Sequence, residues 1–494
     1  VATQGPATET GSKAVKTAKT ARPAPQRTAR PSGGTFVGID IGSHSIKAVE
    51  VKGYGPGLTV TGYGITRTPA GAIQAGRIAD PKALGNALKS FLSKNNIRSN
   101  KIIASVAGAD GVVVRVIEVP KMTPTELKEA MRYEVERSIP FAITDVEMDY
   151  QALDNSATAD DPNNPNMEVL FAAAQREIIN RLLAAYQAAG QDVKAIDVEP
   201  LAIGRSMINL SRQGMASKNV VVINIGASLS EVCIFKDGLL RFPRTIPIAG
   251  DSFTRAIADQ LGITEEEAED EKKKHAAVLM EVVTSGTGTF VDAGGDFDFA
   301  FDQPMSMGTT GGGGDTTEKD TGSGSSGDTT EVSPYSSGDT TDQGIPPQLL
   351  ANPDDPFAFA DSMNPSSGMT GGGAPPPVPT DPMARKRREL FDALSPVLSE
   401  FAMEVRRSVD YFRSRYPSET VDQILLCGGS AKLPGLDKYI EYEVGVATSV
   451  GDPFQNVNVQ VRQQLSGVTR DEVAPAFAVA LGLAERDAVL GSGR

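Results

Sequence analysis

Histidine and cysteine are nearly missing from this chain. Its 494 residues hold two of each: His44, His275, Cys233 and Cys427. That is too few for a zinc site built from clustered His and Cys ligands. Both cysteines fall in apolar strand patterns, which reads as buried, reduced thiols rather than a disulfide. Long apolar runs are missing as well, since none approaches the roughly 20 residues that a membrane-spanning helix needs. There is no signal-peptide core either. The expected location is therefore cytoplasmic, with the membrane reached only through a partner. No basic stripe runs along the chain, which argues against nucleic acid as a ligand.

The formal net charge of −14 suggests a strongly acidic protein, but its placement says otherwise. Residues 1–34 hold six Lys/Arg against Glu9, a net of +5. Residues 284–383 hold fifteen Asp/Glu against Lys319, a net of −14, and the rest of the chain carries −5. The first of these segments is Thr, Ala, Pro, Gly and Lys/Arg without periodicity, a disordered basic tail that is either solvated or touches anionic lipid weakly. The second is Gly, Ser, Thr, Asp and Pro, with Gly-Asp-Thr-Thr recurring at 314–317, 327–330 and 338–341. Such a composition buries too little apolar area to offset the entropy of ordering, so a disordered acidic loop is expected. Its aromatic islets, Phe297/Phe299/Phe301 and Phe357/Phe359, are either docking motifs or incidental to a linker.

The ordered remainder is organised around Thr35 to Val51, TFVGIDIGSHSIKAVEV. An apolar run ends in Asp40-Ile-Gly-Ser, turns, and resumes with alternating Ile46, Ala48, Val49 and Val51: strand, tight turn, antiparallel strand. A turn of small residues beside a carboxylate can hold phosphates on its N–H groups while the carboxylate holds Mg²⁺ through water. A plain β-hairpin could carry the same residues. The device is repeated at Asn219 to Phe235, NVVVINIGASLSEVCIF, where Asn224-Ile-Gly-Ala aligns with Asp40-Ile-Gly-Ser. A third glycine turn, Gly428-Gly429-Ser430, follows the strand at Ile424 to Cys427. Two duplicated hairpins and a late Gly-Gly turn form the pattern of the actin, sugar-kinase and chaperone ATPase superfamily, in which the nucleotide lies between two like-folded halves.

Between these landmarks the spacing predicts a strand near Leu58 to Thr66 and a helix entered through Asp80-Pro81. It also predicts an α+β unit over 101–197 whose first helix opens on the capping box Thr123-Pro-Thr-Glu126. A helix begins at Gly250. Thr264 starts a charged segment that is either a solvated helix or the carrier of Glu269 and Lys272, three apart on one face. A long apolar face runs from Leu390 to Phe412, with Pro396 as a kink or a fresh start on Ser395. Closing helices are expected near Pro434–Tyr442 and Glu472–Asp487.

Three segments sharpen this into a family resemblance: Gly38-Ile-Asp-Ile-Gly-Ser with Lys47, Val116-Ile-Glu-Val-Pro-Lys-Met with Arg132 to Phe141, and Asp197-Val-Glu-Pro-Leu-Ala. From about Thr35 to Ala484, apart from the acidic loop, the chain resembles the PilM family, actin-like proteins of the type IV pilus assembly platform related to the division protein FtsA. FtsA ends in a basic amphipathic membrane helix, whereas this sequence ends Ala-Val-Leu-Gly-Ser-Gly-Arg, which favours PilM.

The resemblance implies an α/β, actin-like ATPase fold of two related halves. The first half would span 35–100 and rejoin at about 198–215. The subdomain that PilM and FtsA carry in place of actin's would be 101–197. The second half would span 218–283 and, after the loop, 384–490. It also implies ATP and Mg²⁺ as ligands. Asp40 would hold Mg²⁺ through water. Gly42, Ser43, His44, Ser45 and Lys47 would meet phosphates, and Asn224, Gly226, Ala227, Ser228 and Gly250 would close from the other side. Gly428, Gly429 and Ser430 would lie against adenine and ribose, and Glu269 with Lys272 would contact the adenosine. Its implied partners are the cytoplasmic N-terminal peptide of PilN, bound beside the inserted subdomain, and the inner-membrane platform, at whose inner face the protein would sit. Alternatives are an FtsA-like filament-forming homologue, with self-association, and a small-molecule kinase of the same superfamily. At most a slow ATPase is expected, because Asn224 stands where relatives usually carry aspartate.

Overall fold

A computed structural model describes residues 34–99, 101–107, 111–153, 165–208, 215, 217–285, 381–455, 457–461 and 470–490. The basic tail and nearly all of the acidic loop lie outside these residues.

The chain opens with β1 (Thr35–Ile41), β2 (Ser45–Lys52), β3 (Thr59–Arg67), the two-residue strands β4 (Ile73–Gln74) and β5 (Arg77–Ile78), α1 (Pro81–Lys94) and β6 (Ile102–Val106). The inserted unit follows as β7 (Val112–Pro120), α2 (Pro124–Ser138), β8 (Val146–Ala152) and β9 (Asn166–Gln175). Next come α3 (Arg176–Ala188), β10 (Val193–Val198) and α4 (Glu199–Met207). The second half holds β11 (Val220–Ile225), β12 (Ser230–Lys236), β13 (Leu239–Ile246), α5 (Gly250–Leu261), α6 (Glu265–His275) and α7 (Met280–Thr284). Beyond the loop it continues with α8 (Pro382–Arg415), β14 (Gln423–Cys427), α9 (Leu436–Val444) and β15 (Thr448–Val450). The chain ends in β16 (Asn458–Val459), α10 (Arg470–Val473) and α11 (Ala478–Leu490).

The two halves are built alike. One sheet has the order β10-β6-β1-β2-β3-β16 and the other β13-β12-β11-β14-β15. In each, a three-strand antiparallel meander is followed by parallel strands that join on the far side of its first strand. The duplicated hairpins are therefore the central strands of two equivalent sheets. Their apolar runs are fully buried, as strands covered on both faces must be.

Two expected boundaries move. The segment 101–197 is not one inserted unit, because β6 and β10 are strands of the first sheet and α3 packs with α1 in its core. The separate sheet is only β7-β9-β8, covered by α2 through Leu127, Met131 and Val135. Likewise 384–490 is not all second half. Strand β16 pairs with β3 in the first sheet, and α11 lies on β1 and β2. The reason is legible in α11 itself. The helix is apolar nearly all round, and such a helix must be buried on all sides. Together with α4 it forms a layer whose core cluster takes side chains from both sheets, among them Val49, Val51, Val222 and Phe235.

Helix α8 runs unbroken through Pro396, neither ending nor restarting at Ser395. An internal proline costs about 3 kcal/mol. Here Ala393, Leu394, Leu398 and Phe401 are buried on either side, and their packing against the second sheet offsets that cost. The capping box at Thr123 and Glu126 and the Asp80 cap form as expected.

The α4–α11 contact is close enough to test. Glycine to alanine inside a helix ordinarily gains about 1 kcal/mol. At Gly482 the added carbon would lie 1.7 Å from the Ala202 carbonyl oxygen, a backbone atom that cannot swing away. Overpacking a rigid core costs about 1–3 kcal/mol or more. Gly482→Ala should therefore lower the melting temperature, and a rise would show that the two helices separate freely.

Candidate functional site

Strand register places the polar residues before any ligand is considered. In the first hairpin Asp40 stands directly opposite Lys47, and their side chains form an ion pair of 2.9 Å. In the second, Asn224 stands opposite Glu231, with Cys427 beside it on the parallel strand β14. The same seven-residue offset thus supplies an acid with a base in one half and an amide with an acid in the other.

The two turns meet. Ser43 and Ser228, one from each hairpin, are hydrogen-bonded through their hydroxyls at 3.0 Å. Thr68 ties the first turn down, donating its hydroxyl to Gly42 O at 2.7 Å and its N–H to His44 O at 3.0 Å. The second turn is knitted to two other motifs. Gly226 O accepts from the Gly250 N–H at 3.1 Å and from the Ser430 hydroxyl at 2.9 Å. Side chains are shut out of this knot: a Cβ at Gly250 would lie 2.4 Å from Ser430 Oγ. At Gly428, whose φ is +91°, it would lie 2.4 Å from Ile225 O.

The result is one cavity of about 500 Å³. It is lined by Asp40, Gly42, Ser43, His44, Ser45 and Lys47 from the first half, and by Asn224, Gly226, Ala227, Ser228 and Gly250 from the second. Glu269, Lys272, Gly428, Gly429 and Ser430 complete the wall. Every residue singled out from the sequence therefore faces the same space.

Several lining residues escaped sequence reasoning, chiefly Glu199, Glu231, Asp251, Lys273 and Lys432. Glu231 was within reach, because extending the duplication seven residues past Asn224 lands on it as it lands on Lys47 in the first hairpin. Glu199, the first residue of α4, lies in the Asp197-Val-Glu-Pro-Leu-Ala segment that carries the family resemblance, but nothing there marks it as a lining residue. Burial, then the neighbouring Glu231 and Asp40, push the Glu199 carboxyl well above the usual range, and it shares a hydrogen bond with Glu231. Burial likewise raises Asp251 and lowers Lys432 and His44. Asp40, Glu199 and Glu231 thus lie near one another in a cavity whose lining also holds the cations Lys47, Lys272, Lys273 and Lys432. A divalent cation together with phosphates is the kind of group this donor set fits.

Glu269 and Lys272 form a closed network. Lys272 Nζ lies 2.6 Å from Glu269 and donates to Gly250 O at 2.8 Å and to Thr254 Oγ1 at 2.7 Å. Thr254 donates in turn to Glu269 at 2.6 Å, and Lys273 reaches the other oxygen at 2.9 Å. The pair so fixes the angle between α5 and α6 and the position of Gly250. Burial alone would raise the Glu269 carboxyl, but hydrogen bonds from Lys272, Thr254 and Lys273 outweigh it and hold the group down at about 2.

A group depressed from 4.5 in this way stabilises the fold fully above 4.5 and loses its contribution as the pH falls towards 2. The gap in melting temperature between wild type and Glu269→Gln should be present at neutral pH and close over that acid window. A gap that stayed constant would show that the charge of Glu269 is not what matters.

Known proteins bear on this arrangement. The family described as "Type IV pilus assembly protein PilM" matches residues 38–278 and 387–488, both sides of the acidic loop. The solved structure of a "PilM-PilN type IV pilus biogenesis complex" superposes with a TM-score of 0.62 at 23% identity, covering 92% of this chain and 98% of the other. Cell division protein FtsA of Bacillus subtilis is 24% identical over 257 residues, 48% of this chain and 57% of that protein. FtsA of Streptococcus pneumoniae is 26% identical over 272 residues, 51% of this chain and 58% of that protein. The chain thus spans little more than half the length of the FtsA relatives it matches. The fold is actin-like, and with more than half of its residues inside the family match, the chain belongs to the PilM family of type IV pilus assembly proteins.

Proposed function

We propose that the protein binds ATP with Mg²⁺ between its two halves and relays that state to the cytoplasmic N-terminal peptide of PilN in the inner-membrane platform. One observation carries the nucleotide part: both hairpin turns, the Gly-Gly turn and the α5 N-terminus line a single cavity with a buried Asp40. The partner follows from family membership and from the relative solved as a PilM-PilN complex. Among the described residues no helix is long and apolar enough to cross a membrane, consistent with attachment through a partner.

Asp40 would hold the metal through water, with Lys47 orienting its carboxylate. The backbone of Gly42 to Ser45 and of Gly226 to Ser228 would receive the phosphates from opposite sides. Bound Mg²⁺ would offset phosphate charge beside Asp40, Glu199 and Glu231. Gly428 to Ser430 would admit the adenosine, while Glu269 and Lys272 would hold that wall of the site.

Asn224 decides between holding ATP and splitting it. It keeps an acceptor oxygen but carries no charge beside the metal, and the acid opposite it, Glu231, is engaged with Glu199. Binding should therefore survive better than turnover.

Saturating Mg-ATP should raise the melting temperature, since a ligand at a hundredfold excess over Kd adds about 2.7 kcal/mol to stability. Asp40→Ala should shrink the shift, and no shift in the wild type would sink the nucleotide reading. In single-turnover assays the wild type should hydrolyse ATP very slowly or not at all, and Asn224→Asp faster. Brisk and equal turnover by both would overturn the role given to Asn224.

A further inference from the structure

The inserted sheet belongs to the first half by chain connectivity. Its strands leave through β6–β7 and return through β9–α3, and the two crossings lie side by side at a narrow neck. There Gly111 has φ +108°, and its carbonyl accepts the Gln175 N–H at 2.8 Å. Beyond the neck the sheet's polar contacts run the other way. Glu168 on β9 is a hub with three partners in the second half. It accepts the Tyr416 hydroxyl at 2.7 Å and Arg415 at 3.2 Å, and it pairs with Arg241 on β13. Arg415 also pairs with Glu118 on β7. The centre of the hub is buried, with side-chain exposure of 12% for Glu168 and 9% for Arg241, while Arg415 and Glu118 lie at its partly exposed edge. Strand β7 packs along β13, and Val114, Val116 and Leu170 join Phe235, Leu239 and Leu240 in a core cluster. That cluster also takes Val49, Val51 and Ile103 of the first sheet, while Val112 and Ala174 at the neck lie in the first half's own core.

A buried, multiply bonded ion cluster resists separation, because parting it leaves desolvated charges without partners. A two-strand neck with a glycine at positive φ bends cheaply. We propose that when the cleft opens or closes, the β7–β9 sheet travels with the second half, held by Glu168, and turns relative to the first half about Gly111 and Gln175. Nucleotide state then reshapes the face between the inserted sheet and the first half, although that sheet touches no part of the nucleotide cavity. This rests on the nucleotide reading above and supplies its route to a partner: an element whose position both sites bias.

The test uses three exposed positions, Lys89→Cys on α1, Gln151→Cys on β8 and Glu400→Cys on α8, labelled in pairs in the full chain for distance measurement with and without Mg-ATP. Cys233 and Cys427 are buried, so the labels stay on the introduced thiols. The 151–400 distance should ignore nucleotide, while 89–151 and 89–400 change together. Weakening the hub with Arg415→Gln and Tyr416→Phe should make 151–400 nucleotide-dependent. The idea is wrong if 89–151 stays constant while 151–400 changes in the wild type, an outcome that needs no hub variant to fold. It is also wrong if no distance responds, and a thermal shift with Mg-ATP on the same samples then shows whether nucleotide binding itself survives.

Discussion

Both halves depend on how closely α11 can approach what surrounds it. A side chain at Gly38 would lie 2.0 Å from the Ala480 carbonyl oxygen, and one at Gly482 would overlap α4. Two glycines, one on β1 and one on α11, therefore let a single apolar helix lie against the first sheet and α4 at backbone distance. Arg205 and Ser206 of α4 add hydrogen bonds to the Gly482 and Ala478 carbonyls at 2.8 and 2.7 Å. Because this layer also receives side chains from the second sheet, it sets the separation of the two central hairpins. The Ser43–Ser228 contact, and with it the single cavity, follows from that separation.

The duplicated architecture does not duplicate the chemistry. Opposite positions on the two hairpins hold Asp40 with Lys47 and Asn224 with Glu231. The first pair is charge-balanced and can face a cation without large rearrangement. The second concentrates acidity, which Glu199 relieves by sharing a hydrogen bond with Glu231. The cavity thus has an ion pair on one hairpin, a hydrogen-bonded carboxyl pair beside the other, and no carboxylate at position 224.

What could be read from the sequence was local or repeated. The hairpins announce themselves through alternation and a glycine turn, α1 and α2 through Asp80-Pro81 and Thr123-Pro-Thr-Glu126, and the equivalence of the halves through the repeat at Asn224. Apart from the repeat, these are interactions among residues close in sequence. The errors concern partners far apart. Strands β6 and β10 look like part of an inserted unit because nothing near them says that β6 pairs with β1 and β10 with β6. Helix α11 looks like the end of the second half because its destination lies more than four hundred residues earlier. Pro396 looks like a break because the packing that carries the helix past it comes from another sheet. Glu199 was missed for the same reason, since its carboxyl acquires meaning only when α4 meets β12.

The inserted sheet shows why connectivity is a poor guide to mechanical grouping. Covalently it is an excursion of the first half, attached by two adjacent strands. By burial and charge it adheres to the second half, through a carboxylate that serves Arg241, Arg415 and Tyr416 at once. Burial and then the bond to Glu168 push the Tyr416 phenol well above its usual range, so it remains a neutral donor at any physiological pH and does not compete with the arginines for charge. Covalent bonds at a neck constrain where a body pivots, whereas a buried ion cluster constrains what it moves with. An element governed by both constraints belongs to neither half alone: its strands leave and return through the first, and its buried carboxylate is held by the second.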